Sequence, residues 1–240
     1  MKRTVLITGG ARGIGRQMAI DFGNAGYNVI ICYNKSEMQA MELVNELNGK
    51  EIACQAIKAD VSDGKQVQAL HDAVAFGHVD TLINNAGIAH IGMLQTDSED
   101  DFDRVIGVDL KGVWLVTRAF LPDMVKNGFG RIINISSFWS ERGSSTETAY
   151  SAAKAGVNGL TKALSREVGP AGVTVNAIVA GLIATEMNDP VPPDALFRIV
   201  DNTPVQRIGT PEDISHAALF LAEEKSSFIN GALLHVDGGY

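Results

Sequence analysis

In the segment TAYSAAK, residues 148–154, a tyrosine stands four positions ahead of a lysine. On a helix, positions i and i+4 lie one above the other. Tyr150 and Lys154 would then share a face left uncrowded by Ser151, Ala152 and Ala153. A phenol ionises near pH ~10 in water, and an adjacent ammonium favours the phenolate and lowers that value. Such a tyrosine could exchange a proton with a substrate oxygen near neutral pH. A second set stands near the start, in TGGARGIG, residues 8–15. Gly9, Gly13 and Gly15 would let the backbone turn tightly and approach a pyrophosphate at the N-terminus of a following helix. Either pattern alone also fits a helix that merely carries both residues, or a turn that merely needs glycine. The elements around them decide.

Apolar runs alternate with helical periodicity along the whole chain. TVLIT (4–8), NVIIC (28–32), EIACQAI (51–57), VDTLIN (79–84), RIINIS (131–136), VTVNAIV (173–179) and ALLHVD (232–237) read as buried strands. Between them Ile14/Met18/Phe22, Ala40/Leu43/Val44/Leu47, Val67/Leu70/Val74, Val157/Leu160/Leu164/Val168 and Ile214/Ala217/Ala218/Leu221 repeat at helical spacing. Repeated strand–helix–strand units imply an α/β fold with a parallel sheet covered on both faces. No linker or internal repeat divides the 240 residues, so one domain over 1–240 is expected. The irregular segment 180–210, with Pro190, Pro192, Pro193 and Pro204, reads as a functional lid. Pro211 would open the last helix.

Composition narrows the function classes. A net charge of −8 disfavours broad binding to nucleic acid or an anionic membrane. Cys32 and Cys54 have no metal-ligand spacing and read as reduced, buried thiols. The first apolar run breaks at Gly9, too early for a signal peptide, and no stretch reaches membrane-spanning length. A cytoplasmic location and no metal site are the expectation.

TGGARGIG at 8–15, NNAG at 84–87, Ser137, and YSAAK at 150–154 together resemble the short-chain dehydrogenase/reductase family, over residues 4–239. The resemblance implies a single Rossmann-type domain with a seven-stranded parallel sheet. It implies that Tyr150 is the catalytic acid, Lys154 its charge partner and ribose ligand, and Ser137 the donor to the carbonyl oxygen. Cofactor contacts are implied for Gly9, Arg12, Gly13, Ile14, Gly15, Tyr33, Lys35, Asp60, Val61, Asn84, Ala86, Gly87, Tyr150, Lys154, Gly181, Ile183 and Thr185. Asp60 would contact adenine, although it or Ser62 could instead cap a helix. Asn84 and Ala86 would line the cofactor and brace the fourth strand, and Thr185 would bond the nicotinamide carboxamide. Tyr33 stands where the family's NAD-selecting aspartate would fall, with the cations Lys35 and Arg12 nearby. Two cations and no acid suit a 2′-phosphate, so NADP(H) is favoured over NAD(H), although both could be ordinary surface charges.

Two positions depart from the family pattern. Asp109 in VDLKG replaces an asparagine that helps hold a relay water. Its charge would weaken the pull of Lys154 on Tyr150, unless it points to solvent or caps a turn. Ala180 replaces a proline beside the nicotinamide, so a looser start to the lid is expected. The likeness is closest to 3-oxoacyl-(acyl-carrier-protein) reductases, through RIINISS, YSAAKAGVNGLTKALSREV and LHVDGG. Gly128 and Ala171 stand where such enzymes carry carrier-docking arginines. The segment SSFWSERGSSTETAYS, with Trp139 and Glu147, resembles instead reductases of a 5-aminopentanone group on elongation factor P, whose amine could use the charge of Glu147. Phe138 and Trp139 equally fit a packed or interface loop. A nucleotide-binding regulatory protein without catalysis is the remaining alternative. Relatives of this kind are commonly homotetramers, and Trp114, Phe120 and Leu160 offer extra apolar bulk for such contacts.

Overall fold

Strands rich in Val, Ile and Leu and apolar at successive positions have both faces to bury, which is the situation of parallel strands between helical layers. The computed structural model describes residues 2–189 and 191–240, so Pro190 lies outside the described residues. It contains one sheet of seven strands: β1 (Thr4–Thr8), β2 (Asn28–Tyr33), β3 (Cys54–Lys58), β4 (Thr81–Asn84), β5 (Gly130–Ser137), β6 (Val173–Ala180) and β7 (Leu233–Val236). Their order is β3-β2-β1-β4-β5-β6-β7, and every pairing is parallel. The helices are α1 (Gly13–Asn24), α2 (Glu37–Gly49), α3 (Gly64–Asp72), α4 (Glu99–Ile106), α5 (Val113–Asn127), α6 (Trp139–Arg142), α7 (Thr148–Val168), α8 (Pro193–Asp201) and α9 (Pro211–Ala222). The α/β architecture expected from the alternation is the one observed.

Alternation along each strand sorts the core into two layers. Val5 and Ile7 of β1 pack with Met18, Phe22, Leu43, Leu47, Ile214 and Leu221 from α1, α2 and α9. Leu6, between them, packs on the other face with Val67, Leu70, Val116, Phe120 and Val168 from α3, α5 and α7. Each such side chain, fully removed from water, contributes about 1.5–3 kcal/mol. The chain leaves β1 for β2 on one side and returns as β4 on the other. At this reversal the loops diverge and leave a crevice outside the carboxyl ends of the strands.

Several local expectations are corrected. β3 starts at Cys54 because residues 51–53 are still the turn out of α2, where Glu51 has φ +61°. Val74 lies beyond the end of α3. Neither Asp60 nor Ser62 caps α3. Asp63 does, its side chain accepting from Lys65 and Gln66 N–H. The 180–210 segment is not irregular throughout, since α8 lies inside it with Pro193 as its first residue. Its two ends are held together. Ile183 bridges Gly209, Ala184 N–H donates to Gly209 O at 2.8 Å, and Gly209 N–H to Leu182 O at 2.9 Å. Ala180 does not loosen its start: β6 runs through Ala180, whose carbonyl accepts from Phe138 N–H at 2.9 Å. The following Gly181 N–H bonds Val236 O at 3.0 Å.

Candidate active site

The glycine turn between β1 and α1 is built by contacts that tolerate no side chains. Gly9 and Gly13 have φ of +64° and +52°, and a Cβ on Gly15 would stand 2.2 Å from Gly9 O. Asn85, just past β4, fastens the turn from across the sheet, its amide donating to Thr8 O at 2.9 Å and Gly9 O at 3.2 Å. Thr8 Oγ1 returns the tie by accepting from the N–H groups of Asn85 and Ala86, both at 3.0 Å. Helix α1 then begins at Gly13 with no side-chain cap. The first N–H groups of such a helix remain available to an anion. An anionic group fits this cradle.

α7 buries one face of small and apolar side chains, Ala149, Ala153, Val157, Thr161 and Val168, and places Lys154 on that face. Lys154 is 4% exposed. Its Nζ donates to Ile135 O of β5 at 3.1 Å and lies 5.4 Å from the centroid of the Tyr150 ring. Asp109 reaches it from the far side, with Oδ1 3.2 Å from Lys154 Nζ. Asp109 belongs to a six-residue π-helical stretch, residues 107–112, between α4 and α5. Such wide turns recur at functional sites because they shift a residue out of helical register. Here Asp109 is wholly buried and its Oδ2 accepts from Ile88 N–H at 3.0 Å. The alternatives of a solvent-facing or merely turn-capping aspartate are set aside by this burial. Ser137 ends β5, and its Oγ accepts from Trp139 N–H at 3.2 Å, which leaves its own proton to donate.

Electrostatics differ from the simplest expectation of a lowered phenol pKa. Burial pushes Tyr150 above the usual phenol value. Lys154 opposes this, Asp109 reinforces it, and the smaller influences of Ser137 and Glu147 oppose each other. Burial would lower Lys154, but the Asp109 carboxylate and the nearby phenol outweigh it and hold the ammonium charged to higher pH. Burial raises the Asp109 carboxyl, against the pull of Lys154 and the Ile88 N–H. Glu147, half-buried at the head of α7, is raised by burial and steadied by Ser144 Oγ at 2.7 Å. Burial also acts to raise Asp60, but hydrogen bonds from Ser62 and Asn34 outweigh it and hold it low.

A cleft of about 1490 Å³ runs over the carboxyl ends of the strands. It is lined by Gly9, Arg12, Gly13, Ile14, Tyr33, Lys35, Asp60, Val61, Ala86, Gly87, Ser137, Tyr150, Lys154, Gly181, Ile183 and Thr185. Three expected site residues stand behind its surface. Gly15 lies beneath the glycine turn, Asp109 behind Lys154, and Asn84 in the core. Asn84 does not line the cleft. Its amide donates to Thr117 Oγ1 at 3.0 Å and Asn134 Oδ1 at 2.8 Å, so it braces β4 while its neighbour Asn85 does the lining. Arg12 is not free in this structure. Its Nη1 lies 3.0 Å from Glu186 Oε2, an exposed pair joining the glycine turn to the segment that follows β6. Lys35 is exposed and makes no ion pair among the described residues. Sequence reading missed Asn85, Glu186 and the Ile135 carbonyl. Only Asn85 carried a signal, the doubled asparagine after a strand. Gly128 and Ala171 each lie two residues before β5 and β6, at the opposite ends of those strands from the cleft. Among the described residues no group of three or more His, Cys, Asp or Glu is placed to hold a metal, and no helix is long and apolar enough to cross a membrane.

Residues 9–240 match a family model described as enoyl-(acyl carrier protein) reductase, within the short-chain dehydrogenase/reductases. A 3-oxoacyl-(acyl-carrier-protein) reductase of Staphylococcus aureus is 38% identical over 241 residues, covering 100% of this chain and 98% of the relative. A (2S)-((R)-hydroxy(phenyl)methyl)succinyl-CoA dehydrogenase subunit of Thauera aromatica is 40% identical over 240 residues, covering 99% and 96%. A structure assigned as an NAD(P)-dependent gluconate 5-dehydrogenase from Beutenbergia cavernae, with NADP bound at low occupancy, superposes with a TM-score of 0.94. It is 33% identical and covers 99% of this chain and 96% of its own.

Proposed function

Because the chain belongs to the short-chain dehydrogenase/reductase family of oxidoreductases, we propose that it is an NADPH-dependent ketone reductase acting on 3-oxoacyl thioesters. The single observation that carries the reading is the convergence of Ser137, Tyr150 and Lys154 on one wall of a cleft that begins at an uncapped glycine turn. A nicotinamide held in the cleft would supply the hydride. Tyr150 donates its phenolic proton to the substrate oxygen, and Ser137 hydrogen-bonds that oxygen as charge develops. Lys154, fixed by Ile135 O, keeps the phenol and the ribose in register. Gly9, Gly13 and the start of α1 would hold the pyrophosphate, Asp60 and Val61 the adenine, and Thr185, packed against Gly13, the carboxamide. Arg12 and Lys35, both lining the cleft, would receive a 2′-phosphate.

Residues 182–209, closed at their base, act as the substrate lid, with Ala195 and Ile199 of α8 facing the cleft. The two cysteines are buried, free and pushed up to about 12 by burial, in keeping with a reducing cytoplasm. A homotetramer is the proposed assembly. Trp114 at 47% and Phe102 at 49% exposure stand out on α5 and α4, whereas Phe120, expected there, is buried in the protein's own core.

One observation favours a second substrate class. Glu147 and Trp139 both line the cleft, and Glu147 makes no ion pair among the described residues. A carboxylate there would suit a ketone carrying an amine. The deciding experiment follows NADPH oxidation over acyl thioesters, small ketones and aminoketones. Turnover of a 3-oxoacyl thioester, lost by ~100- to ~10,000-fold in Tyr150→Phe with cofactor binding retained, is the expected result. Preference for aminoketones, reversed in Glu147→Gln, would replace the first substrate class with the second. Cofactor binding without turnover of any ketone would turn the reading toward a regulatory protein.

A further inference from the structure

The reductase reading leaves one buried charge unused. Asp109 Oδ1 lies 3.2 Å from Lys154 Nζ, with the two side chains 0% and 5% exposed. Gly87 is bare on the side facing them, and a Cβ there would stand 2.7 Å from Asp109 Oδ1 and 3.4 Å from Lys154 Nζ. The carboxylate and the ammonium are therefore enclosed together, and the second ammonium contact, to Ile135 O at 3.1 Å, fixes Lys154 before any ligand arrives. We propose that Asp109 is a positioning residue that offsets the pull of Lys154 on Tyr150 and so carries ketone reduction to higher pH than Lys154 alone would allow. The proposal rests on the reductase reading.

The chemistry of the two directions makes opposite demands on Tyr150. In reduction the hydride electron pair forms the new C–H bond, the carbonyl π pair takes the proton from Tyr150 Oη, and the nicotinamide is left oxidised. In oxidation the phenolate removes the alcohol proton while hydride returns to the oxidised nicotinamide. Reduction thus needs the phenol and oxidation the phenolate. Three charged or titratable groups face this phenol: Lys154 from α7, Glu147 just ahead of that helix, and Asp109 from the π-helical stretch, with the uncharged Ser137 on β5. Lys154 alone favours the phenolate. Asp109 cancels much of that pull at close range, Glu147 adds to the cancellation, and burial does the rest. An asparagine at 109 could still accept from Ile88 N–H but would leave Lys154 largely unopposed.

The test compares the unmutated protein with Asp109→Asn, measuring kcat/KM against pH for ketone reduction with NADPH and for alcohol oxidation with NADP. In Asp109→Asn the basic limb of reduction and the rising limb of oxidation should both move about one unit to lower pH. A residue that only supported the fold would lower both rates without moving either limb, and superimposable limbs overturn the proposal. Should Asp109→Asn fail to fold, Asp109→Ser makes the same comparison. Titration of the Tyr150 phenol, read by ultraviolet difference against Tyr150→Phe, needs no turnover. In the unmutated protein it should fall above the ordinary value near ~10, and a value below that overturns the proposal even if every ketone proves inert. Inert ketones would instead sink the reductase reading.

Discussion

At the scale of single residues, the site depends on which charges are spent on one another. Arg12 is engaged by Glu186 and Lys35 is not engaged, so a 2′-phosphate placed there would meet one competed cation and one open one. We expect NADPH to bind more tightly than NADH, and Arg12→Ala and Lys35→Ala each to erode that difference. Equal dissociation constants for the two cofactors in the unmutated protein would refute it. Gly87 is the other sensitive position. Gly87→Ala should reduce kcat by about tenfold or more, since a methyl cannot enter without displacing the ion pair, a cost typical of overpacking. A melting temperature lowered with kcat intact would place the strain elsewhere. Tyr150 and Lys154 were legible because the geometry linking them spans one helical turn. Arg12 and Glu186 are separated by 174 positions, and nothing local in the chain records their meeting. Asn84 and Asn85 were ambiguous for another reason. Neighbouring residues at a strand end face opposite ways, and which one faces the cleft depends on the register of β4.

At the scale of elements, the strands could be read because a segment buried on both faces is apolar at successive positions, as in NVIICY and RIINIS. The lid could not. Its prolines suggested a break in structure, yet Pro192 and Pro193 precede and open α8, where a missing N–H costs nothing. The π-helical stretch also left no trace in the apolar periodicity, and it is what turns Asp109 inward. Segment 180–210 is tied to the glycine turn by the exposed Arg12–Glu186 pair, which at such exposure is worth at most about 1 kcal/mol. Glu186→Gln should therefore tighten NADPH by up to about fivefold and leave NADH unchanged. An equal gain for both cofactors would show that Glu186 acts by repelling the pyrophosphate rather than by competing for Arg12.

At the scale of the whole molecule, assembly is the property least explained by a single chain. Light scattering at micromolar concentration should give the mass of four chains, and Trp114→Glu should lower it by placing a charge on an exposed aromatic. A monomer in the unmutated protein would refute the assembly. The strand order carries one more consequence. β1, β2 and β3 form one side of the sheet, and β4 to β7 the other, joined strand to strand only where Val5, Leu6 and Ile7 meet Thr81, Leu82 and Ile83. The glycine turn, Arg12, Lys35 and Asp60 precede that seam, while Asp109, Ser137, Tyr150 and Lys154 all follow it. A chain nicked in the largely exposed turn at residues 73–78 would separate a nucleotide grip from a proton donor, and regained turnover would then be a signal that the two halves had found each other.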